Sequence, residues 1–287
     1  MNRLLEMGRQ GILDDSINFN TDTIAVALMD LNTASTAVKQ ILSSTNASPI
    51  VITTSAAHGF TTGDLVFIDG HTTNTSANGL WAITAASGSV FSLTDYISGT
   101  NSTGNGVGGA TGYAVDYGAT GTTVDDNYDD WVAGLVGAKL SLGSKTFSAG
   151  VFDAADATFP TVSGASVEAI LIFKDTGTNS TSRTIGLITG KQLVTADATL
   201  TAGTTLVVEP VTAGIPNGTV LPFSTGQSAT VNATVNAGDR AITVLSTTIT
   251  SAARALAPIT ASGLPVTPNG GNIVVTWDNG VNRIFKL

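Results

Sequence analysis

Residues 56–71 read AAHGFTTGDLVFIDGH. The stretch holds the only two histidines of the chain, His58 and His71, together with Asp64 and Asp69. Two readings compete. As chemistry, two imidazoles and two carboxylates are candidate metal ligands. Such a site needs three or four donors converging in space, whereas the histidines lie thirteen positions apart with a turn and a strand between them. As structure, His58-Gly59 and Gly63-Asp64 belong to turns, where glycine accepts φ > 0 and Asp bonds its local backbone. Leu65, Val66, Phe67 and Ile68 then form a strand. The second reading is the better supported, and it predicts a β module rather than a catalytic or metal centre.

The bulk composition points the same way. Of 287 residues, 11% are charged, against about 25% in an average domain. Hydrophobic residues make up 42%, so a core can form. Thr, Ser, Asn and Gly take the place of charge, and β-branched Thr suits pleated, half-exposed surfaces. Mean hydropathy is positive, which argues against disorder. The length implies one large β domain or two to three modest ones.

A net charge of −9 disfavours direct contact with nucleic acid, which needs Lys and Arg to displace counterions, and disfavours an anionic membrane surface. The absence of cysteine excludes disulfides, thiolate nucleophiles and Cys-ligated zinc. MNRLLEMGRQGILDD does not read as a signal peptide. No apolar run approaches the roughly 18 residues of a membrane span.

Along the chain, RLLEMGRQ (3–10) predicts a short helix with Leu4, Leu5 and Met7 on one face and Gly11 ending it. STAVKQIL (35–42) predicts a second helical turn. TDTIAVALMD (21–30) alternates as a packed strand. Asn-Gly or Asp-Gly recurs at 69–70, 78–79, 105–106, 217–218, 269–270 and 279–280, marking tight turns, often hairpins. Many short strands at close spacing predict a sandwich or barrel. IVVTW (273–277), DNG and VNRIFKL predict a C-terminal hairpin tied into a sheet. Trp131 and Trp277 read as core.

Two blocks differ in composition from the rest. Residues 42–112 lie between Ser/Gly/Asn-rich flanks. Residues 191–258 are nearly pure Ala, Thr, Val and Gly, and contain a repeat. ATLTAGTTLVVEPVTAGI (198–215) lies over ATVNAGDRAITVLSTTI (233–249), with Ala202-Gly203 on Ala237-Gly238 and Leu206-Val207-Val208 on Ile242-Thr243-Val244. Each copy predicts strand, Ala-Gly turn, strand. Two copies can close a small barrel or sandwich but cannot make a long solenoid.

PIVITTSAAHGFTTGDLVFIDGH, NGLWAI (78–83) and SVFSLTD (89–95) together resemble a small β-barrel module. It is named after the first catalytic-cysteine half-domain of ubiquitin-activating enzymes and also occurs in tailed-phage structural proteins. The resemblance implies a barrel, and no ubiquitin chemistry, since the chain lacks cysteine and an adenylation motif.

NFNTDTIAVALMD (18–30), AGVFDAADATFPTVSGASVEAILIFKDTGTNSTSRTIGLI (149–188) and GLPVTPNGGNIVVTWDNGVNRIFKL (263–287) resemble a family of virion structural proteins of tailed bacteriophages. In simpler members a stretch like IGLI runs almost directly into one like GLPVTPNGG. Here about 70 residues intervene, and block 42–112 interrupts likewise. The resemblance implies a host β domain in three pieces (1–41, 113–190 and 259–287) carrying two inserted modules (42–112 and 191–258). Insertion is tolerated at loop tips whose ends lie close together.

Three other patterns could carry chemistry. DDNYDDW (125–131) offers Asp125, Asp126, Asp129 and Asp130 to a calcium ion, but lacks the glycine and closing Glu of an EF-hand and reads as an acidic loop. Asp153 and Asp156 in FDAADATF (152–159) could pair for acid–base work on a glycoside, but read as a capped turn before a strand. GTNSTGNGVGG (99–109) lacks the strand-to-helix setting of a phosphate loop and reads as an interdomain linker. GxSxG, GxxxxGK[ST] and HExxH are absent.

The expected fold is all-β, with a β-sandwich or jelly-roll-like host domain, two small β modules and a short N-terminal helix. The expected function is non-enzymatic: a multi-copy virion component on the capsid exterior, at the neck or collar, or on the tail. Its partners would be other virion proteins and copies of itself, with no catalytic, cofactor-binding or metal residue and no cofactor. It would be assembled in the host bacterial cytoplasm. The alternative is a tail-associated adhesin for a receptor or host-surface glycan, although Phe223 is the only aromatic of the second insert. A polysaccharide depolymerase is the third reading and has no convincing constellation behind it.

Overall fold

The computed structural model describes residues 2–96, 99–117, 124–189, 191–192, 200–208, 214–222, 227–236, 239–249, 259–260, 263–277 and 284–286. The fold is mostly β, with one short N-terminal α-helix and a closed barrel of six strands. No helix among the described residues is long and apolar enough to cross a membrane. Contacts divide the chain into two compact units. One comprises Thr36–Val124 with Gly190–Leu264, and the other Asn2–Ser35 with Asp125–Thr189 and Pro265–Leu287.

In chain order the first elements are β1 (Asn2–Leu4), α1 (Glu6–Leu13) and β2 (Ile24–Met29). The barrel strands follow: β3 (Val38–Ser44), β4 (Val51–Thr54), β5 (Leu65–Asp69), β6 (Gly79–Ser87), β7 (Val90–Thr94) and β8 (Tyr113–Asp116). Then come β9 (Leu135–Ser141), β10 (Thr146–Ser148), β11 (Val151–Asp153), β12 (Ala157–Phe159), β13 (Ala169–Lys174) and β14 (Thr184–Ile188). The remainder are β15 (Lys191–Gln192), β16 (Leu200–Val207), β17 (Val220–Pro222), β18 (Ser228–Thr230), β19 (Ala241–Ile249), β20 (Ile259–Thr260), β21 (Ile273–Val275) and β22 (Phe285–Lys286).

In the second unit β1-β14-β13-β2-β9 form an antiparallel sheet. All six residues of β2 are buried, as the alternation in 21–30 predicts for a packed strand. Small residues face large ones across the pair, Ala25 opposite Phe173 and Ala27 opposite Leu171. The helix differs from expectation. Residues 2–4 are a strand, and Gly11 lies inside α1 instead of ending it. The buried positions of α1 are Gly8 and Gly11, three apart on one face. A Cβ on Gly8 would fall 2.3 Å from the Ile185 carbonyl oxygen, so the absent side chain is what lets the helix approach β14.

The C-terminal strands also differ from expectation. Instead of pairing with each other as a hairpin, β21 pairs with β12 and β22 with β11. The end of the chain is tied into the sheet of β10, β11 and β22. The Asn-Gly turn expected at 279–280 lies outside the described residues. Trp131 and Trp277 are buried.

The barrel closes in the order β3-β4-β7-β6-β5-β8. Its core contains Ile41, Ile52, Phe60, Val66, Trp81, Phe91 and Leu93. The barrel strands begin at Val38 and end at Asp116, on both sides wider than block 42–112. Where a helical turn is expected at 35–42, residues 38–42 are strand instead. Val38, Ile41 and Ser44 are the buried positions of β3, an interval of three that imitates a helix, and a bulge between Ile41 and Ser43 accounts for the second of these intervals.

In the repeat-containing segment β16 pairs with β19, and Leu206 faces Ile242. These are aligned positions of the two copies, so the copies meet across an antiparallel pair and do not stack in file. Ala202-Gly203 is not a turn: it lies within β16, where the register shifts. Its counterpart, Ala237-Gly238, lies outside the described residues. Among the described residues, Leu206, Val208, Ile215, Leu221, Val231, Ile242 and Val244 form an aliphatic core.

Candidate functional site

The structure engages both ring nitrogens of each histidine and places the two rings in different surroundings. His71 follows β5 and is 1% exposed. Its Nε2 lies 2.7 Å from Ser44 Oγ, and its Nδ1 lies 3.0 Å from Thr111 Oγ1. Asn74 Nδ2 donates to Ser44 Oγ at 2.9 Å and to the Thr45 carbonyl at 3.0 Å. One assignment satisfies both nitrogens: Ser44 donates to Nε2, and Nδ1–H donates toward Thr111. Asn78 clamps the backbone of His71, its Oδ1 accepting the amide at 2.9 Å and its Nδ2 donating to the carbonyl at 2.8 Å. Burial holds the His71 imidazole below its ordinary value, and a hydrogen bond to the Thr111 backbone opposes this.

A hydroxyl 2.7 Å from an imidazole is the geometry of a nucleophile and its base. Here the pair is sealed. Ser44 is 3% exposed, and Gly108 lies directly on it. A Cβ there would fall 2.1 Å from His71 Nε2 and 2.3 Å from Ser44 Oγ. The arrangement works as a clasp that closes one end of the barrel.

What covers the clasp is the glycine tract itself, which is therefore not a linker. Gly108 bridges Ser44, and Asn101 bridges Thr94. Ser102 Oγ donates to the Leu93 carbonyl at 2.7 Å and accepts the Ile50 amide at 2.9 Å. Asn105 Oδ1 accepts the Ser76 amide, and its Nδ2 donates to Thr75 Oγ1. Gly104 and Gly106 pass so close to Asn46 and Thr73 that a Cβ would fall 2.9 Å and 2.5 Å from their backbones. Glycine is needed here for close approach.

His58 is also 1% exposed, but in an apolar setting. Nδ1 accepts the Phe60 amide at 2.9 Å, so the proton sits on Nε2, which faces the Val90 carbonyl at 3.3 Å. The ring stacks on Phe60 and meets Phe91 edge-on. Burial lowers its pKa, Lys39 adds to this, and Val90 and Asp64 oppose it. Asp64 caps its own turn by accepting the Thr61 amide at 2.6 Å and hydroxyl at 2.9 Å. Asp69 accepts the Tyr113 hydroxyl at 3.3 Å. Among the described residues no three His, Asp or Glu side chains converge as metal ligands.

The acidic stretch 125–131 is a capped turn. Asn127 and Asp130 cap the 3-10 helix Tyr128–Asp130 reciprocally. The Asp125 carbonyl accepts Trp131 Nε1–H at 3.3 Å and the Thr184 hydroxyl at 2.7 Å. Asp156 accepts the Trp277 amide at 3.0 Å, while Asp153 belongs to β11. Tyr128 stacks on Phe173 with ring centroids 4.2 Å apart, and Lys139, paired with Asp175 at 2.8 Å, lies 5.5 Å above the tyrosine ring. The buried Tyr128 hydroxyl has no hydrogen-bond partner among the described residues, and burial followed by the charge of Asp175 pushes its pKa up to about 12.

Sequence reasoning found the histidines and missed their partners. Asn78 lies in the NGLW signature and could have been found. Ser44, Asn74, Gly108 and Thr111 are common residues scattered through polar stretches, with no pattern to single them out. Comparison with known proteins adds no relative: no family model, no curated protein and no solved structure matches the chain.

Proposed function

We propose that this chain is a non-enzymatic structural component of a tailed-phage virion, assembled in several copies on the capsid exterior or at the neck or collar through protein–protein contacts. One observation carries the reading: the polar groups that looked chemical, where their contacts are seen, serve to hold local structure in place. The Ser44–His71 pair closes the barrel, Asp64 and Asp130 cap turns, and Asp156 fixes Trp277. The resemblance of 149–188 and 263–287 to virion proteins supports the same reading, as does a surface rich in Thr, Ser and Asn and poor in charge. An adhesin would present aromatic platforms to a glycan, whereas Trp81, Trp131 and Trp277 are all buried.

Electron microscopy of virions labelled with antibody to this chain tests the proposal. Labelling at a fixed position on intact particles is expected. Absence of the chain from purified particles rejects it.

A further inference from the structure

Residues 30–33 leave β2 in a turn on which two carboxyl groups close. Asp30 is 7% exposed. Its Oδ1 accepts the Asn32 amide at 2.7 Å, and its Oδ2 accepts the Thr33 hydroxyl at 2.6 Å. Half-buried Glu168 reaches the same turn from the start of β13. Its amide donates to the Met29 carbonyl at 2.9 Å, and its Oε2 accepts the Leu31 amide at 3.1 Å. The Leu31 side chain is fully buried, so the turn cannot open without wetting it. From the side of residues 132–134, the Gly134 carbonyl accepts the Asp30 amide at 2.8 Å. A Cβ on Gly134 would fall 2.5 Å from the Asp30 carbonyl oxygen.

Among the described residues no basic group offsets the Glu168 charge. From the segment leading into β13 Glu168 meets the Ser166 hydroxyl, and from the turn it meets Asp30 and the Leu31 amide. Residues 132–134, Val-Ala-Gly, bring no titratable side chain. Burial pushes the Glu168 carboxyl up to about 7; the bonds from Ser166 and Leu31 oppose this, and Asp30 adds to it.

We infer that Glu168 and Asp30 form a proton-operated latch on the turn that leaves β2, closed while Glu168 carries a proton and loosened when that proton is lost. The inference does not depend on the virion reading. A carboxyl raised in the folded state favours its protonated form there. Its stabilisation is therefore full below the ordinary value of 4.5 and is lost as pH rises through about 7. That interval caps the change in the closed-to-open ratio at about 300-fold.

The test is hydrogen exchange at the Leu31 and Asn32 amides of the whole chain from pH 5 to 8.5, corrected for intrinsic rates. Protection is expected to fall at least about tenfold across pH 7, while Val26 and Leu28 within β2 stay protected. In Glu168→Gln, whose amide keeps both an acceptor for Leu31 and a donor for Asp30, protection should hold its low-pH value throughout. The Glu168 carboxyl, followed by carbon NMR, should titrate near neutrality and move down in Asp30→Asn. Flat protection in the unaltered chain, the same slope in Glu168→Gln, a parallel loss at Val26 and Leu28, or an ordinary Glu168 titration would each overturn the latch.

Discussion

The barrel of residues 38–116 and the ribbon of residues 200–249 are both small β structures with well-buried cores, but they are specified differently. The barrel is a closed ring around Trp81, Phe91 and Phe60, and its end is locked by the Ser44–His71–Asn74 clasp under the glycine tract. The ribbon is an antiparallel pair over an aliphatic cluster, with aligned Leu206 and Ile242 face to face. Unique polar partners make the barrel intolerant of substitution at a few points. Repetition makes the ribbon tolerant, because neighbouring positions offer similar side chains. Replacements in the two regions should therefore have unequal effects.

The largest effect is expected from Trp81→Ala. It empties the barrel core and leaves the Ala77 carbonyl without the indole N–H that reaches it at 2.9 Å. A loss of about 3–5 kcal/mol is expected. Hydrogen exchange should show it as lost protection across residues 38–116, with residues 200–249 unchanged. An equal loss in both regions would erase the contrast.

Next comes Gly108→Ala, which drives a methyl group into His71 and Ser44. Overpacking together with a broken buried hydrogen bond predicts a loss of about 2–4 kcal/mol. The same assay with carbon NMR of His71 would read it. A tract that were only a linker would tolerate the change.

Exchanging Leu206→Ile with Ile242→Leu conserves volume at paired positions of the ribbon. A cost below about 1.5 kcal/mol is expected, measured as the shift in exchange of β16 and β19 amides. A larger cost would mean that the ribbon, like the barrel, depends on individual side chains.

The gentlest contrast is one of pH. His58 and His71 are both held neutral, chiefly by burial, so the stability they confer is present above about 6.5 and is lost as pH falls. Barrel amides should lose protection between pH 7.5 and 5.5. The ribbon has no histidine and should stay flat over that range. The latch at Glu168 should move the other way, closing as pH falls.

These regions also differ in how far the sequence announces them. The barrel declares itself because its turns need particular residues: Gly59, Gly63 and Gly70 all take positive φ, and Val66 and Ile68 alternate into the core. Strand β2 is equally plain. Strand β3 is hidden because its buried positions fall three apart, one of these intervals spanning a bulge, so its period looks helical. The glycine tract is hidden because composition cannot tell a glycine that frees a chain from one that lets two backbones touch. Ala202-Gly203 misleads for a related reason: it marks an irregular register within a strand, where a turn would look the same in sequence. The clasp partners and the Asp30–Glu168 pair are legible only after folding, since Asp30 and Glu168 lie 138 positions apart in sequence.

The central claim is that this chain is a repeated structural part of a tailed-phage particle. Cryo-electron microscopy of phage particles purified from a lysate in which this chain is produced tests this most directly. The account predicts density for the barrel and the five-stranded sheet at symmetry-related positions on the capsid exterior, neck or collar, at a fixed copy number. Particles that are complete and infectious without the chain, and a chain that remains unassembled in the lysate, would contradict it.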